Sequence, residues 1–388
     1  MSKWRKKQLQ EIAFLKPTET LRKGDIAPNI PMANIKEFQR DVVKIDYGEF
    51  RGGTKFRNGD TLLAKITPCL ENGKTAFVNC LQEDEIGFGS TEFIVLRAKE
   101  NIDERFLYYL SISPEFRKQA ISLMEGTSGR KRVNENALKI SDFLIPDFEE
   151  QRKIANILSA IDDKIQINNQ INQELEAMAK TLYDYWFVQF DFPDQNGKPY
   201  KSSGGKMVYH PELKREIPEE WGVEKLSHFL TIKNGKDHKH LQDGRFAVYG
   251  SGGIMRMVTD YLYSGESILF PRKGTLNNVM YVNEKFWTVD TMFYSEVNKN
   301  NSALYVFYSV KDIDFNKLNT GTGVPSMTSS ILYDLNIIVP EENILEKFNT
   351  IVKQNYETIK LNSIQNQELT QLRDWLLPML MNGQVKVE

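Results

Sequence analysis

Residues 154–186, IANILSAIDDKIQINNQINQELEAMAKTLYDYW, place Ile154, Leu158, Ile161, Ile165, Asn168, Asn172, Leu175, Ala179, Leu182 and Trp186 at alternating steps of four and three. Such a heptad seam predicts one long helix that packs against another helix rather than against a broad core. The partner is expected in the same chain. Adding 194 to each position gives Phe348, Val352, Asn355, Ile359, Asn362, Asn366, Leu369, Arg373, Leu376 and Leu380. The middles match closely, NNQINQEL at 168–175 over NSIQNQEL at 362–369. Both seams carry Asn at the same two inner positions, Asn168 and Asn172 in one, Asn362 and Asn366 in the other. An amide in a seam costs stability but selects register, because it is satisfied only opposite another polar group. Like positions meet near the midpoints of an antiparallel pair, so these four amides are expected to lie together. The bland alternative is chance likeness between two Asn-rich helices.

The correspondence extends outward, and the chain reads as an internal repeat. Trp4 with Leu9 opens the first half as Trp221 with Leu226 opens the second. Gly59-Asp60 precedes one strand and Gly265-Glu266 another, and Thr91-Glu92-Phe93 sits over Thr291-Met292-Phe293. A helix is expected from Asp103 to Leu110, and a second start at Ser113-Pro114, with Pro at the first helical position. In the second half Ser302 is expected to cap Ala303 to Val310. Loops follow at Gly126-Thr127-Ser128-Gly129 and Thr320-Gly321-Thr322-Gly323, then short apolar strands ending at Pro146 and Pro340. Asp147 with Glu150 forms a capping-box pattern for the first long helix. In the second the pattern falls at Asn343 and Glu346, which predicts a slightly later start. Pro378 predicts a kink or stop. Residues 191–218, rich in Pro, Gly, Ser and Lys, read as a linker. The predicted organisation is a globular domain at 1–148, a helix at 149–190, the linker, a second domain at 219–340 and a second helix at 341–388. The fold class is α+β, two similar domains joined by two long helices packed as an antiparallel coiled coil.

With 388 residues the chain can hold two or three domains, each with its own core. No apolar run approaches the roughly 18 residues of a membrane span, and no apolar signal core follows the start. The two cysteines, Cys69 and Cys80, exclude a disulfide framework or a Cys-rich zinc site and fit a reducing cytoplasm. Net charge is −2 but uneven. Residues 1–148 hold 24 Lys and Arg against 21 Asp and Glu, 149–190 hold 4 against 7, and 219–340 hold 12 against 13. Nucleic-acid binding would need basic residues gathered on one face.

Catalytic patterns are weak. Gly73-Lys74-Thr75 resembles the end of a phosphate loop, but position 68 is Pro where the motif needs Gly. Pro193-Asp194 with Glu212-Leu213-Lys214 could be written as a nuclease pattern, yet it falls in the linker. His238 and His240 beside Lys236 and Lys239 lack further ligands at zinc spacing. Phe88-Gly89-Ser90 is too short to argue for a cofactor site, and the Asn-Pro-Pro-aromatic element of adenine methyltransferases is missing. No catalytic residue and no metal ligand set is expected. What remains are basic, glycine-bearing loops: Lys65, Thr67, Asn72 and Lys74; Arg130, Lys131 and Arg132; Lys236 and Lys239; Arg272, Lys273 and Thr275. Gly lets backbone approach phosphates, Arg and Lys neutralise them or reach guanine, and Asn reads adenine. For each residue alone the bland reading is a solvated surface charge.

Together these residues resemble the specificity subunits of type I restriction–modification enzymes. The likeness is sharpest at 59–74 (GDTLLAKITPCLENGK), 89–93 (GSTEF), 149–154 (EEQRKI), 186–188 (WFV), 203–209 (SGGKMVY) and 217–221 (IPEEW). The second helix departs from the pattern, with Glu341-Glu342-Asn343-Ile344 in place of Glu-Glu-Gln-Arg. The resemblance implies two target-recognition domains, each reading one half of a split, asymmetric site in double-stranded DNA. It implies two methyltransferase subunits docked around the helices, which bind S-adenosylmethionine and methylate adenine N6. Restriction subunits that translocate and cut would complete the assembly. S-adenosylmethionine, ATP and Mg are expected on those partners, with no cofactor in this chain and no catalysis by it.

A helix from about Asp147 to Phe187 would span roughly 60 Å at ~1.5 Å per residue. Two of them would form a spacer between two reading heads. Tyr183, Trp186 and Phe187 are expected on exposed helix faces that need covering. Two other classes stay open: a stand-alone nuclease or methyltransferase with paired recognition domains, and a coiled-coil scaffold that binds only protein.

Overall fold

The computed structural model describes residues 4–127, 129–321 and 323–385. Ser128 and Thr322, from the two glycine-bearing loops, lie outside the described residues. The chain divides into two compact units, residues 1–170 with 362–388, and residues 171–361.

In the first unit Arg5–Gln8 pairs antiparallel with Asp142–Ile145, and a one-turn helix, Leu9–Ile12, follows. Ala13–Leu15 then edges a four-stranded sheet, followed in order by Phe93–Ala98, Thr61–Ala64 and Thr75–Phe77. A second four-stranded sheet orders Asp46–Glu49, Ile26–Ile30, Gly87–Gly89 and Thr54–Phe56. Helix Glu104–Ile112 starts where expected, because the Asp103 carboxylate accepts from the N–H groups of Arg105 and Phe106. Ser113 caps Pro114–Ser122 in the same way, with Pro at its first position. The core gathers Leu9, Leu63, Ile94, Phe106, Phe116 and Phe143. It also takes in the ends of both long helices, Ile154 and Leu158 of one, Leu377, Leu380 and Met381 of the other.

The second unit repeats this plan. Gly222–Lys225 pairs with Asn336–Val339, a one-turn helix Leu226–Phe229 follows, and Leu230–Asn234 edges the sheet. Next come Met292–Val297, Tyr263–Pro271 and Met280–Thr288. Ala64 lies opposite Phe93 in the first sheet as Phe270 lies opposite Phe293 in the second. The second sheet then continues by parallel pairing of Asp243–Gly250 with Met280–Thr288, and Gly253–Val258 completes its six strands. Its core likewise takes both helix ends, Ala179, Trp186 and Phe187 with Ile344, Leu345, Phe348 and Val352. Helix Ala303–Lys311 forms, but Ser302 does not cap it by its side chain. That hydroxyl donates instead to Lys299 O at 2.7 Å.

The stretch read as a linker carries its own structure. Met207–His210 and Arg215–Pro218 form an antiparallel hairpin. Phe192 is sandwiched between Tyr200 and Trp221, each 4.7 Å away between ring centres. The Gly, Ser and Lys content is real, but the aromatic residues among them supply apolar area enough to dock the segment on the core.

The long helices are Phe148–Tyr183, of 36 residues, and Glu342–Met381, of 40. A π-helical turn, Asp184–Val188, continues the first. All the seam positions are buried or half-buried. In the first unit Asp162 meets Arg373 and Asn168 meets Asn366, so the helices run antiparallel there. Three expectations need correction. The second helix does not start late: Glu341 O accepts from the N–H groups of Ile344 and Leu345, which matches the start of the first helix. Pro378 does not stop it, because Leu377, Leu380 and Met381 are buried in the first core and hold one more turn in place. Trp186 and Phe187 are buried and Tyr183 half-buried, because the second core covers them. Among the described residues, no helix is long and apolar enough to cross a membrane.

Candidate nucleic-acid interface

Two loops cross in each unit, and they cross in the same way. In the first, Lys65 O accepts from Val133 N at 2.9 Å and Thr67 N donates to Lys131 O at 3.0 Å, with Ile66 bridged to Arg132. In the second, Arg272 O accepts from Met327 N at 2.9 Å and Gly274 N donates to Pro325 O at 3.1 Å, with Lys273 bridged to Ser326. Val133 and Met327 are 194 apart, the same offset that relates the helices. Gly274 sits at φ +91, with Ser251 Oγ 2.9 Å from where a Cβ would stand, so a side chain would be strained there.

The first crossing ties up most of its polar side chains. Lys65 is only 14% exposed and reaches Glu135 at 3.2 Å. Lys16 reaches the same carboxylate at 2.7 Å. Burial pushes the Glu135 carboxyl up, but hydrogen bonds from Lys16 and Lys65 outweigh it and leave it below its ordinary range. Arg132 donates to Glu92 through both Nε and Nη2, at 2.7–3.1 Å. Those bonds hold the Glu92 carboxyl below its ordinary range. Asn72 donates to Glu37 at 2.9 Å and Lys74 to Met32 O at 3.2 Å. Thr67 Oγ1 is buried without a partner among the described residues. Arg130 and Lys131 are different: both are exposed, and neither side chain is engaged by another described residue. The sequence could not show which cations were taken, since Lys65 meets its partner 70 residues away and Arg132 meets its own 40 away.

The second crossing keeps its charges free. Lys273 and Thr275 are exposed, and Arg272, also exposed, lies over the Phe293 ring at 5.8 Å. Lys236 N donates to Thr288 O at 2.9 Å and Lys236 O accepts from Trp287 Nε1 at 2.9 Å, which fixes its backbone and leaves its side chain exposed. Lys239 lines a cleft of about 690 Å³ with His238, Ser251, Met255, Asp290 and Thr291. Thr291 O accepts from both Arg272 N and Lys273 N, at 2.8 and 3.2 Å. The 236–239 and 272–275 loops, separate in sequence, therefore border one surface.

On the helices Asn168 is fully buried, and its amide donates to Gln365 Oε1 and Asn366 Oδ1, both at 2.8 Å. Asn366 donates in turn to Asn169 at 2.9 Å. Asn172 and Asn362 are half-buried on their helices. A buried ionic network was not foreseen. Arg373 meets Asp162 at 2.9 Å, each side chain 4% exposed. Tyr109 donates to the same carboxylate at 2.7 Å, and Arg40 meets the neighbouring Asp163 at 2.7 Å. The available signal was Arg373 itself, a charge at an apolar seam position that requires a buried acid. Among the described residues no cluster of His, Cys, Asp or Glu could hold a metal ion.

Comparison with known proteins shows the family and the fold. Residues 1–177 and 218–371 match the type I restriction modification DNA specificity domain. The type I restriction enzyme MjaIX specificity subunit of Methanocaldococcus jannaschii is 29% identical over 319 residues, covering 75% of this chain and 71% of that one. The HindI specificity subunit of Haemophilus influenzae is 24% identical over 405 residues, covering 85% and 87%. In fold, the chain resembles the crystal structure of a type I restriction–modification S subunit from M. genitalium, with a TM-score of 0.58 at 18% identity over 98% of this chain and 96% of that one. With two sheet-rich domains, a pair of long helices and a family match over most of its length, this chain belongs to the type I restriction–modification DNA specificity family.

Proposed function

We propose that this specificity subunit, itself non-catalytic, reads a split, asymmetric duplex site, one half with each sheet-rich domain. The observation that carries the reading is the repeated loop crossing, which presents unengaged cations in both domains: Arg130 and Lys131 in one, Arg272 and Lys273 in the other. Such cations neutralise phosphates or reach guanine edges. Lys236, Lys239 and Thr275 extend the second contact surface. Lys65, Thr67, Asn72, Lys74 and Arg132 shape the first from behind.

The helices set the spacer. At ~1.5 Å per residue, the 36- and 40-residue helices are about 54 and 60 Å long. Asn168 and Asn366, with Asn172 and Asn362 beside them, select the register of the pair. Two methyltransferase subunits dock on the helices and methylate adenine N6, and restriction subunits join them to cut. S-adenosylmethionine, ATP and Mg act on those partners. The complex works in the cytoplasm, where the DNA is.

The test is co-expression with the methyltransferase subunit of its own system, followed by genome-wide mapping of N6-methyladenine. The expected result is a bipartite motif whose spacer changes, with both half-sites intact, when whole helical turns are inserted at matched positions of the two helices. A continuous motif, or half-sites that change with helix length, would overturn the proposal.

A further inference from the structure

Asp290 sits in the wall of the cleft that also holds Lys239, and it is out of place there if the surface does nothing but bind phosphates. It lies on the turn between Met280–Thr288 and Met292–Val297, where Met292 N donates to Val289 O. The residue is exposed, and its carboxylate takes no hydrogen bond or ion pair from any described residue. Lys239 shares the cleft without pairing with it. The next residue, Thr291, anchors the backbone of Arg272 and Lys273, so the carboxylate stands beside the second crossing rather than behind it.

The first domain handles a carboxylate in this region differently. Glu92, two residues past Ser90 at the corresponding strand entry, is neutralised by Arg132. Position 326, which corresponds to Arg132 across the 194-residue offset, is Ser. The second domain has Met292 at the Glu92 position and Ser326 at the Arg132 position, so that ion pair has no equivalent, and its carboxylate, Asp290, stands at the Ser90 position with no counter-ion among the described residues. A bare carboxylate facing the polyanion is repelled by phosphates. It is favourable only where it accepts a hydrogen bond from a base, and the donors in the major groove are the exocyclic amino groups of cytosine N4 and adenine N6. The free hydroxyl of Thr291 and the exposed thioether of Met255 give the same cleft a polar side and an apolar side, which suits one base-pair edge.

We infer that Asp290 is a specificity-determining residue of the second domain, accepting a hydrogen bond from the exocyclic amino group of one base in its half-site. The inference rests on the reading that this surface faces DNA.

Asp290→Ala and Asp290→Asn subunits, each assembled with its methyltransferase subunits, test it by methylome mapping and by competition binding with duplexes substituted at each position. The expected result for Asp290→Ala is loss of discrimination by about 10- to 100-fold at a single position of one half-site, with the other half-site unchanged. A relaxed cytosine identifies N4 as the donor, and a relaxed adenine identifies N6. If both variants keep the motif intact and merely bind every duplex more tightly, Asp290 reads nothing and the inference fails while the surface assignment stands. If a Lys239→Ala and Lys273→Ala double variant binds DNA as tightly and with the same salt dependence as the parent, the surface assignment itself falls.

Discussion

Both domains pack apolar helix ends into their cores, but each adds a different second element to its hold on the helices. The first uses buried charge: Arg373, Asp162 and Tyr109 form one network, with Arg40 and Asp163 beside it. The second uses rings. Phe187 packs 4.6 Å from Tyr305 and 5.0 Å from Phe348, and Tyr183 stacks on Tyr308 at 5.8 Å. At the 194-residue offset Arg373 corresponds to Ala179 and Asp162 to Tyr356. The repeat has kept the positions and exchanged the interactions. Charged and apolar junctions respond differently to damage. A buried pair that loses one member leaves an uncompensated charge, whereas a trimmed ring cluster loses the transfer energy of the atoms removed plus the cost of any cavity left behind.

That contrast predicts the largest effect. Arg373→Met should destabilise the first domain by about 3–5 kcal/mol, because Asp162 stays buried without its cation. Phe187→Leu in the second should cost only about 1–2 kcal/mol. Urea titrations followed by hydrogen exchange of segments from each domain would separate them. Equal losses would mean that the ionic network is solvated and the contrast is wrong. Adding Asp162→Leu to Arg373→Met should recover only part of the stability, since an apolar pair needs no counter-charge but the buried Tyr109 hydroxyl loses its acceptor.

The loop crossings differ in a parallel way. Three positions hold Arg130, Lys131 and Arg132 in the first domain and Val324, Pro325 and Ser326 in the second, where the charge has moved to Arg272 and Lys273 on the other loop. Arg130→Ala with Lys131→Ala should weaken binding to all duplexes alike and flatten the dependence of log affinity on log salt by about 0.9 for each phosphate that is no longer neutralised. Lys65→Met should leave that slope unchanged, because Lys65 is committed to Glu135. If Lys65→Met also flattened the slope, the division between engaged and free cations would fail.

The smallest expected effect is on acid stability. The Glu92 carboxyl is held below its ordinary value of 4.5, chiefly by hydrogen bonds from Arg132. The unfolded chain therefore takes up this proton at higher pH than the folded one does. The stabilisation is complete above the ordinary value and is lost as pH falls through the folded value. Glu92→Gln should remove a small part of the first domain's stability at neutral pH and make the loss on acidification below the ordinary carboxyl value less steep. The second domain, with Ser326 in place of the arginine, offers no such pair at that crossing.

Much of this architecture was legible in the sequence, because helix seams and strand entries repeat at a readable period. The seam positions, the starts at Asp103 and Ser113 and the loops at 126–132 all express local pattern. What escaped depends on partners far along the chain. Arg40 meets Asp163 and Tyr109 meets Asp162 through tertiary packing that no local period encodes. Composition misjudged 191–218, where Phe192, Tyr200 and Ile217 outweigh the glycines beside them. A set of basic loop residues likewise mixed engaged cations with free ones and passed over Asp290, since charge alone does not say which groups are already satisfied.

The division of the chain into 1–170 with 362–388 on one side and 171–361 on the other has a consequence for synthesis. The unit that begins first is missing Leu377, Leu380 and Met381 until the whole of the second has been made, so its interior stays open while the second, continuous in sequence, can close. On the ribosome the order of folding should then invert the order of appearance, and the amino-terminal half would be the one that waits for a chaperone.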